Sequence, residues 1–83
     1  DEKYQKKLKQ LGKHIRSLRE KAGLSQEELG FKADIHRTYV SEIELGIKNP
    51  TYITLLKIAE ALSLHIYDVI PKSKKHTIGR KIS

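Results

Sequence analysis

The sequence predicts an all-α domain, a compact five-helix bundle with a helix-turn-helix at its centre, and three observations lead there. Apolar residues recur at spacings of three and four, the period of a helix with one buried face, and no stretch alternates as a strand would. Segments open on residues suited to a helix N-cap, such as Ser25 and Thr51, and close on glycine or proline at Gly23, Gly46 and Pro71. Between Leu24 and Pro50, in LSQEELGFKADIHRTYVSEIELGIKNP, two short helical segments flank a tight turn.

In the first segment Leu8, Leu11, Ile15, Leu18 and Ala22 form one apolar face, while Lys6, Lys7, Lys9, Lys13 and Arg16 lie largely off it. This predicts helix 1 over about residues 4–22, with its first turns frayed and Gly23 as its left-handed stop. Ser25 with Glu28 three residues on is a capping box, which starts helix 2 and carries it to about Lys32. Leu24, Leu29 and Ala33 face inward there. Ala33-Asp34-Ile35 is the turn, with Asp34 tolerating a left-handed backbone and Ile35 plugging the angle between the helices.

Helix 3 is expected over about His36 to Leu45, with Val40 and Ile43 inward and Gly46 ending it. Asn49-Pro50-Thr51 interrupts the pattern, and Thr51 caps helix 4, whose apolar face is Tyr52, Leu55, Leu56, Ile58, Ala59 and Leu62. A short fifth helix, about His65 to Ile70, stops at Pro71. The remaining KSKKHTIGRKIS is basic and without periodicity, which predicts a flexible tail.

Composition excludes several classes of function. Eighty-three residues make one small domain, only marginally stable alone, for which a dimer interface would help. With no cysteine there is no disulfide framework, thiol nucleophile or cysteine-held metal. The apolar runs are too short to span a membrane and the N-terminus has no apolar signal segment, so a cytoplasmic location with no membrane partner is expected. The histidines, His14, His36, His65 and His76, are scattered without metal-ligand spacing. There is no phosphate-cradling glycine loop and no nucleophile motif, so no enzyme, cofactor or metal is expected.

The net charge of +7 is segregated. Residues 1–23 carry eight Lys/Arg against three acids, residues 24–70 four against seven, and residues 71–83 five against none. A basic balance favours a polyanionic partner, nucleic acid ahead of membrane, yet the acidic middle argues against a binder driven by charge alone.

In a helix-turn-helix the second helix enters the DNA major groove and its first turn points at base edges. Here that turn is His36-Arg37-Thr38-Tyr39, followed by Ser41 and Glu42. Arg37 has the fork for a guanine, Thr38 bonds a base or touches a thymine methyl, and Glu42 accepts from a cytosine amino group or instead orients Arg37. His36 reads equally as a helix cap or a DNA contact, and Tyr39 divides between core edge and phosphate. Gln26 at the start of helix 2, and Lys48 and Asn49 after helix 3, are placed for phosphates on either side. Arg19 and Glu44 lie on faces that approach each other across helices 1 and 3, where an ion pair would fix the motif's angle.

These residues resemble the lambda Cro/C1-type helix-turn-helix family, also called the xenobiotic-response-element family. The matching pieces are Leu24-Ser25-Gln26-Glu27-Glu28-Leu29, Arg37-Thr38-Tyr39-Val40-Ser41, Ile43-Glu44, Gly46, Asn49-Pro50-Thr51, and Leu55, Ile58, Ala59, Ala61 and Leu62. The resemblance implies a lambda-repressor-like domain over residues 8–70, between the frayed start at 1–7 and the tail at 71–83. It also implies a homodimer that binds a palindromic operator in double-stranded DNA and regulates transcription. Positions matching Arg37, Thr38, Ser41 and Glu42 would read bases, and those matching Gln26, Tyr39, Lys48 and Asn49 would touch the backbone. The run His36 to Glu44 is also similar to the controller proteins of restriction–modification systems. Against the family pattern, Gly30 stands for a helix-favouring alanine and Asp34 for the turn glycine, both read as small stability costs. Leu45 stands where a basic residue is frequent, which removes one phosphate contact.

Leu64, Ile66, Val69 and Ile70 are more apolar surface than helices 4 and 5 need, and either form a two-fold dimer interface or simply close the monomer core. The resulting expectation is a dimeric repressor or activator that covers or flanks a promoter, with RNA polymerase as a further partner. The rival from another class is an antitoxin or protein-interaction module using exposed Phe31 or the helix 5 surface.

Overall fold

Each of the five helices begins at a polar side chain that closes its own first turn. In the computed structural model, which describes residues 1–72, these caps are Asp1, Ser25, His36, Thr51 and His65. They open α1 (Glu2–Lys21), α2 (Gln26–Ala33), α3 (Arg37–Glu44), α4 (Tyr52–Ala61) and α5 (Ile66–Val69). The tail expected beyond Pro71 falls almost wholly outside the described residues. No helix among the described residues is long and apolar enough to cross a membrane.

The capping box of α2 is complete: the Glu28 N–H donates to the Ser25 hydroxyl and the Ser25 N–H to the Glu28 carboxylate. The Ser25 backbone N–H, and then its hydroxyl, hold the Glu28 carboxyl below its usual value. The stops are also where the spacing puts them. Gly23 and Gly46 have φ of +75° and +78°, and Asp34 takes the left-handed turn at φ +58°.

α2 packs on α3 and α4, α1 on α3 and α5, and α4 on α5. Ile15, Leu29, Val40, Ile43, Ile58 and Val69 are fully buried at the centre, with Leu11, Leu18, Leu24, Ile35 and Leu62 packed around them. Four members of the expected apolar faces lie outside this core: Leu8 and Leu56 are half-buried at its edge, and Ala22 and Tyr52 are exposed. Ala22 is the exposed C-cap of α1, one residue past its last turn. Tyr52 is the exposed first residue of α4, before the helix reaches the others.

Gly30 corrects another expectation. A methyl group there would lie 2.7 Å from the Ile35 carbonyl oxygen and 3.3 Å from the Arg37 nitrogen, so glycine lets α2 meet the start of α3 rather than merely weakening the helix. Gly12 plays the same part between α1 and α3, where a Cβ would collide with the carbonyl oxygens of Ile43 and Glu44. Both obstacles at Gly12 are backbone and cannot rotate away. We expect Gly12→Ala to destabilise the domain by about 1–3 kcal/mol in urea unfolding, while Lys13→Ala on the exposed side stays within about 0.5 kcal/mol. Equal stabilities would show that the two helices are free to move apart.

Candidate nucleic-acid interface

The position of α3 is set by what lies beneath it. On its inner side, Glu44 receives the Arg19 guanidinium as a fork, Nε to Oε2 at 2.7 Å and Nη2 to Oε1 at 3.0 Å. The third nitrogen, Nη1, donates to the Leu24 carbonyl at 2.7 Å, and the Gln26 amide donates to Glu44 Oε1 at 3.0 Å. Arg19 and Glu44 are both buried, and among the described residues no buried side-chain N or O lacks a partner. The Glu44 hydrogen bond holds the Arg19 pKa above its ordinary value, against the opposing effect of burial. One ion pair thus ties α1, the α1–α2 loop, the start of α2 and the end of α3 together.

With Val40, Ile43 and Glu44 inward, helical geometry turns Thr38, Ser41 and Glu42 away from the core, while Arg37, which the period puts on the side of Val40 and Glu44, reaches solvent as the first residue of the helix. Arg37 and Thr38 are exposed, and Ser41 and Glu42 half-buried. No ion pair joins Glu42 to Arg37, but the Glu42 carbonyl accepts from the Ile47 N–H at 2.9 Å and more weakly from Lys48 at 3.4 Å. That folds the loop back against α3 and leaves Lys48 and Asn49 exposed beside it.

The residues with two readings now have definite surroundings. His36 caps α3, its Nδ1 accepting from the Thr38 N–H at 3.0 Å, so the ring proton sits on Nε2, still able to donate. Tyr39 is half-buried and packs on the core. Gln26 donates one amide N–H to Glu44, so the donors left at that end of α2 are its second amide N–H and the backbone N–H groups of Gln26 and Glu27.

The surface expected for dimer contact is only partly surface. Val69 is wholly buried in the monomer core and offers nothing to a partner, because α5 is a single turn that must plug α1 and α4 with it. Leu64 and Ile66 are half-buried, and Ile70 is 41 % exposed. Neighbouring Tyr67 is exposed and stacks on His65 at 4.6 Å, a member of this patch that its sequence position next to Ile66 did not flag. Leu45 was noted only for the charge it lacks. It is 59 % exposed and follows Ser41 by four residues on the outward side of α3, apolar surface of the kind that packs on a thymine methyl.

A rigid, outward polar face on a short helix, flanked by N–H donors and a lysine loop, is the arrangement a major-groove reader needs. The comparisons agree with it. The helix-turn-helix family model matches residues 15–69. Over 60 residues the chain is 40 % identical to control protein C.BamHI of Bacillus amyloliquefaciens, covering 71 % of this chain and 74 % of that one. Control protein C.SmaI of Serratia marcescens is 38 % identical over 56 residues, 68 % of this chain and 67 % of that one. Among solved structures, the restriction–modification controller protein C.AhdI from Aeromonas hydrophila aligns at a TM-score of 0.78 and 35 % identity, over 80 % of this chain and 96 % of that one.

The ion pair makes a double-mutant test possible. Glu44→Ala strands a buried guanidinium and is expected to cost about 3–5 kcal/mol in urea unfolding, whereas Arg19→Met with Glu44→Leu recovers much of that loss. Additive losses in the double variant would mean that the two side chains act independently.

Proposed function

The chain belongs to the Cro/C1-type helix-turn-helix family of DNA-binding transcription regulators, and we propose that it is a controller protein of a restriction–modification system. In this reading it is a homodimer on a palindromic operator, and its mechanism is occupancy: bound at a promoter, it excludes RNA polymerase or helps to recruit it. The observation that carries the reading is the outward face of α3, with Arg37, Thr38, Ser41 and Glu42 held by a buried ion pair beneath. Similarity to the control proteins C.BamHI and C.SmaI, and to the structure of C.AhdI, supports the restriction–modification role.

Arg37 and Thr38 would read base edges from the first turn, with Ser41 and Glu42 one turn on. Lys48, Asn49, the Nε2–H of His36 and the N–H groups at the start of α2 would hold phosphates and set register. The Tyr39 ring, committed to the core, would contribute through its hydroxyl. Leu64, Ile66 and Ile70, joined by Tyr67, would form the two-fold contact, placing two copies of α3 about one DNA turn, roughly 34 Å, apart.

Phe31 favours a protein partner in addition to DNA. It is 87 % exposed on α2, with Glu27 one turn before it and Lys32 beside it, apolar surface that neither the core nor the DNA-reading face uses. RNA polymerase is the partner an activator would need there.

Selection of binding sites from a random duplex pool tests the reading. An enriched inverted repeat is expected, and Arg37→Ala should relax base preference at one position per half-site by about 1–3 kcal/mol. Retention of the wild-type preference by that variant, over all single-base changes, would remove Arg37 from base reading.

A further inference from the structure

We propose that the basic side of α1, formed by Lys6, Lys9 and Lys13, is a second phosphate-binding surface that joins Lys48 and extends the duplex footprint beyond the bases facing α3. The proposal rests on the reading of this chain as a duplex-DNA binder and adds to it a site that the helix-turn-helix match, which begins at residue 15, does not include.

The first argument is electrostatic. Residues 24–70, which hold α2 to α5, carry four Lys/Arg against seven acids, and of those bases only Arg37 and Lys48 belong to the proposed DNA face. Attraction to a polyanion comes mainly from lysine and arginine displacing counterions at phosphates. The reading motif of this chain is poor in them, so the attraction must come from another part of the molecule.

The second argument is what the bases of α1 are doing. Arg19 is consumed by Glu44, Arg16 lies 3.1 Å from Glu20, and the Lys3 ammonium sits over the Tyr4 ring. Lys6, Lys9 and Lys13 are exposed and, among the described residues, form no ion pair. Their spacing of three and four places them along one side of the helix. Glu2 and Glu20 share that side, the first at the helix's first residue, beyond Lys6, and the second paired with Arg16 beyond Lys13.

The third argument is where that side lies. Lys9 rests its backbone and Cγ against Gly46, so close that a Cβ on Gly46 would lie 2.7 Å from the Lys9 Cγ. Gly12, one turn on, abuts the carbonyl oxygens of Ile43 and Glu44. The lysine stripe therefore borders the C-terminal end of α3 and the loop that carries Lys48 and Asn49, already the expected phosphate contacts. Lys6 to Lys13 spans on the order of 10 Å along the axis, enough for about three phosphates of one strand. Duplex DNA seated on α3 and the Lys48 loop would continue onto this stripe.

The test uses the whole chain and two duplexes, the selected site trimmed to its enriched bases and the same site with about ten further base pairs on each side. Binding is titrated over a series of salt concentrations for the wild type and for Lys6→Gln/Lys9→Gln/Lys13→Gln. The expected result is a triple variant that unfolds at the wild-type temperature and keeps its base preference. On the flanked duplex the slope of log K against log salt should be shallower by about 5.4 for a bound dimer, about 2.7 per protomer, with little change on the trimmed one. Lys6→Gln and Lys13→Gln singly should each remove about 1.8 of that slope for a dimer, and they decide the matter should the triple variant fold poorly. Wild-type slopes for these variants on the flanked duplex would overturn the proposal. A wild type without base preference, whose slope still falls in the variants, would instead defeat the sequence-reading role and leave the lysine surface standing.

Discussion

The buried fork between Arg19 and Glu44 is the interaction on which the rest of this structure depends. Glu44 lies on the inner side of α3, so fixing its carboxylate fixes the rotation of that helix about its own axis. Rotation decides which side chains face out. Thr38, Ser41 and Glu42 are presented together because Val40, Ile43 and Glu44 are held together beneath them, and Arg37 joins them from the first position of the helix. Apolar contacts alone tolerate small slips, whereas a two-point hydrogen-bonded fork tolerates few. Removing two charges from water is costly, and an apolar pair could give equal stability. What the ion pair supplies here is orientation. Gln26 and the Leu24 carbonyl extend the constraint to α2, so both halves of the motif refer to one point.

Close backbone approach is the second condition for that geometry. Gly12 lets α1 touch the last carbonyls of α3, which brings Arg19, two turns further along α1, within reach of Glu44. Gly30 does the same at the other end of α3. The left-handed residues Gly23, Asp34 and Gly46 then reverse the chain in few enough residues to keep the helices in contact. A division of labour follows from the charges. The motif itself is acidic on balance and suited to discrimination, whereas the cations that would supply general affinity lie to either side of it in the chain.

Much of this was legible in the sequence, because helix period, caps and stops are local signals. The Ser25–Glu28 box, Thr51, Gly23 and Gly46 mark their boundaries without any tertiary information. The outward face of α3 follows from the same period. What could not be read there depends on partners distant in the chain. Nothing local distinguishes Gly12, which accommodates carbonyls more than thirty residues away, from a weak point in a helix. Gly30 was misjudged for that reason. Ser63 takes a left-handed φ of +57° at the end of α4, a turn that no glycine announces. Val69 and Ile70 look alike in sequence, and only the packing of the short α5 against α1 and α4 buries the first and leaves the second at the surface. For the candidate site, the side chains were legible but not all of their commitments: the bond of Gln26 inward to Glu44 was not foreseen, and for His36, where cap and DNA contact had equal claim, the structure shows the cap.

The most direct test of the central claim, that the outward face of α3 reads bases in the major groove, is interference by guanine N7 methylation on the recovered duplex. The methyl group blocks a major-groove acceptor without altering the backbone. The account predicts interference in two symmetric patches on one face of the duplex, about one turn apart, with one guanine per half-site becoming indifferent to methylation when Arg37 is replaced by alanine. Binding that ignores N7 methylation throughout would contradict it.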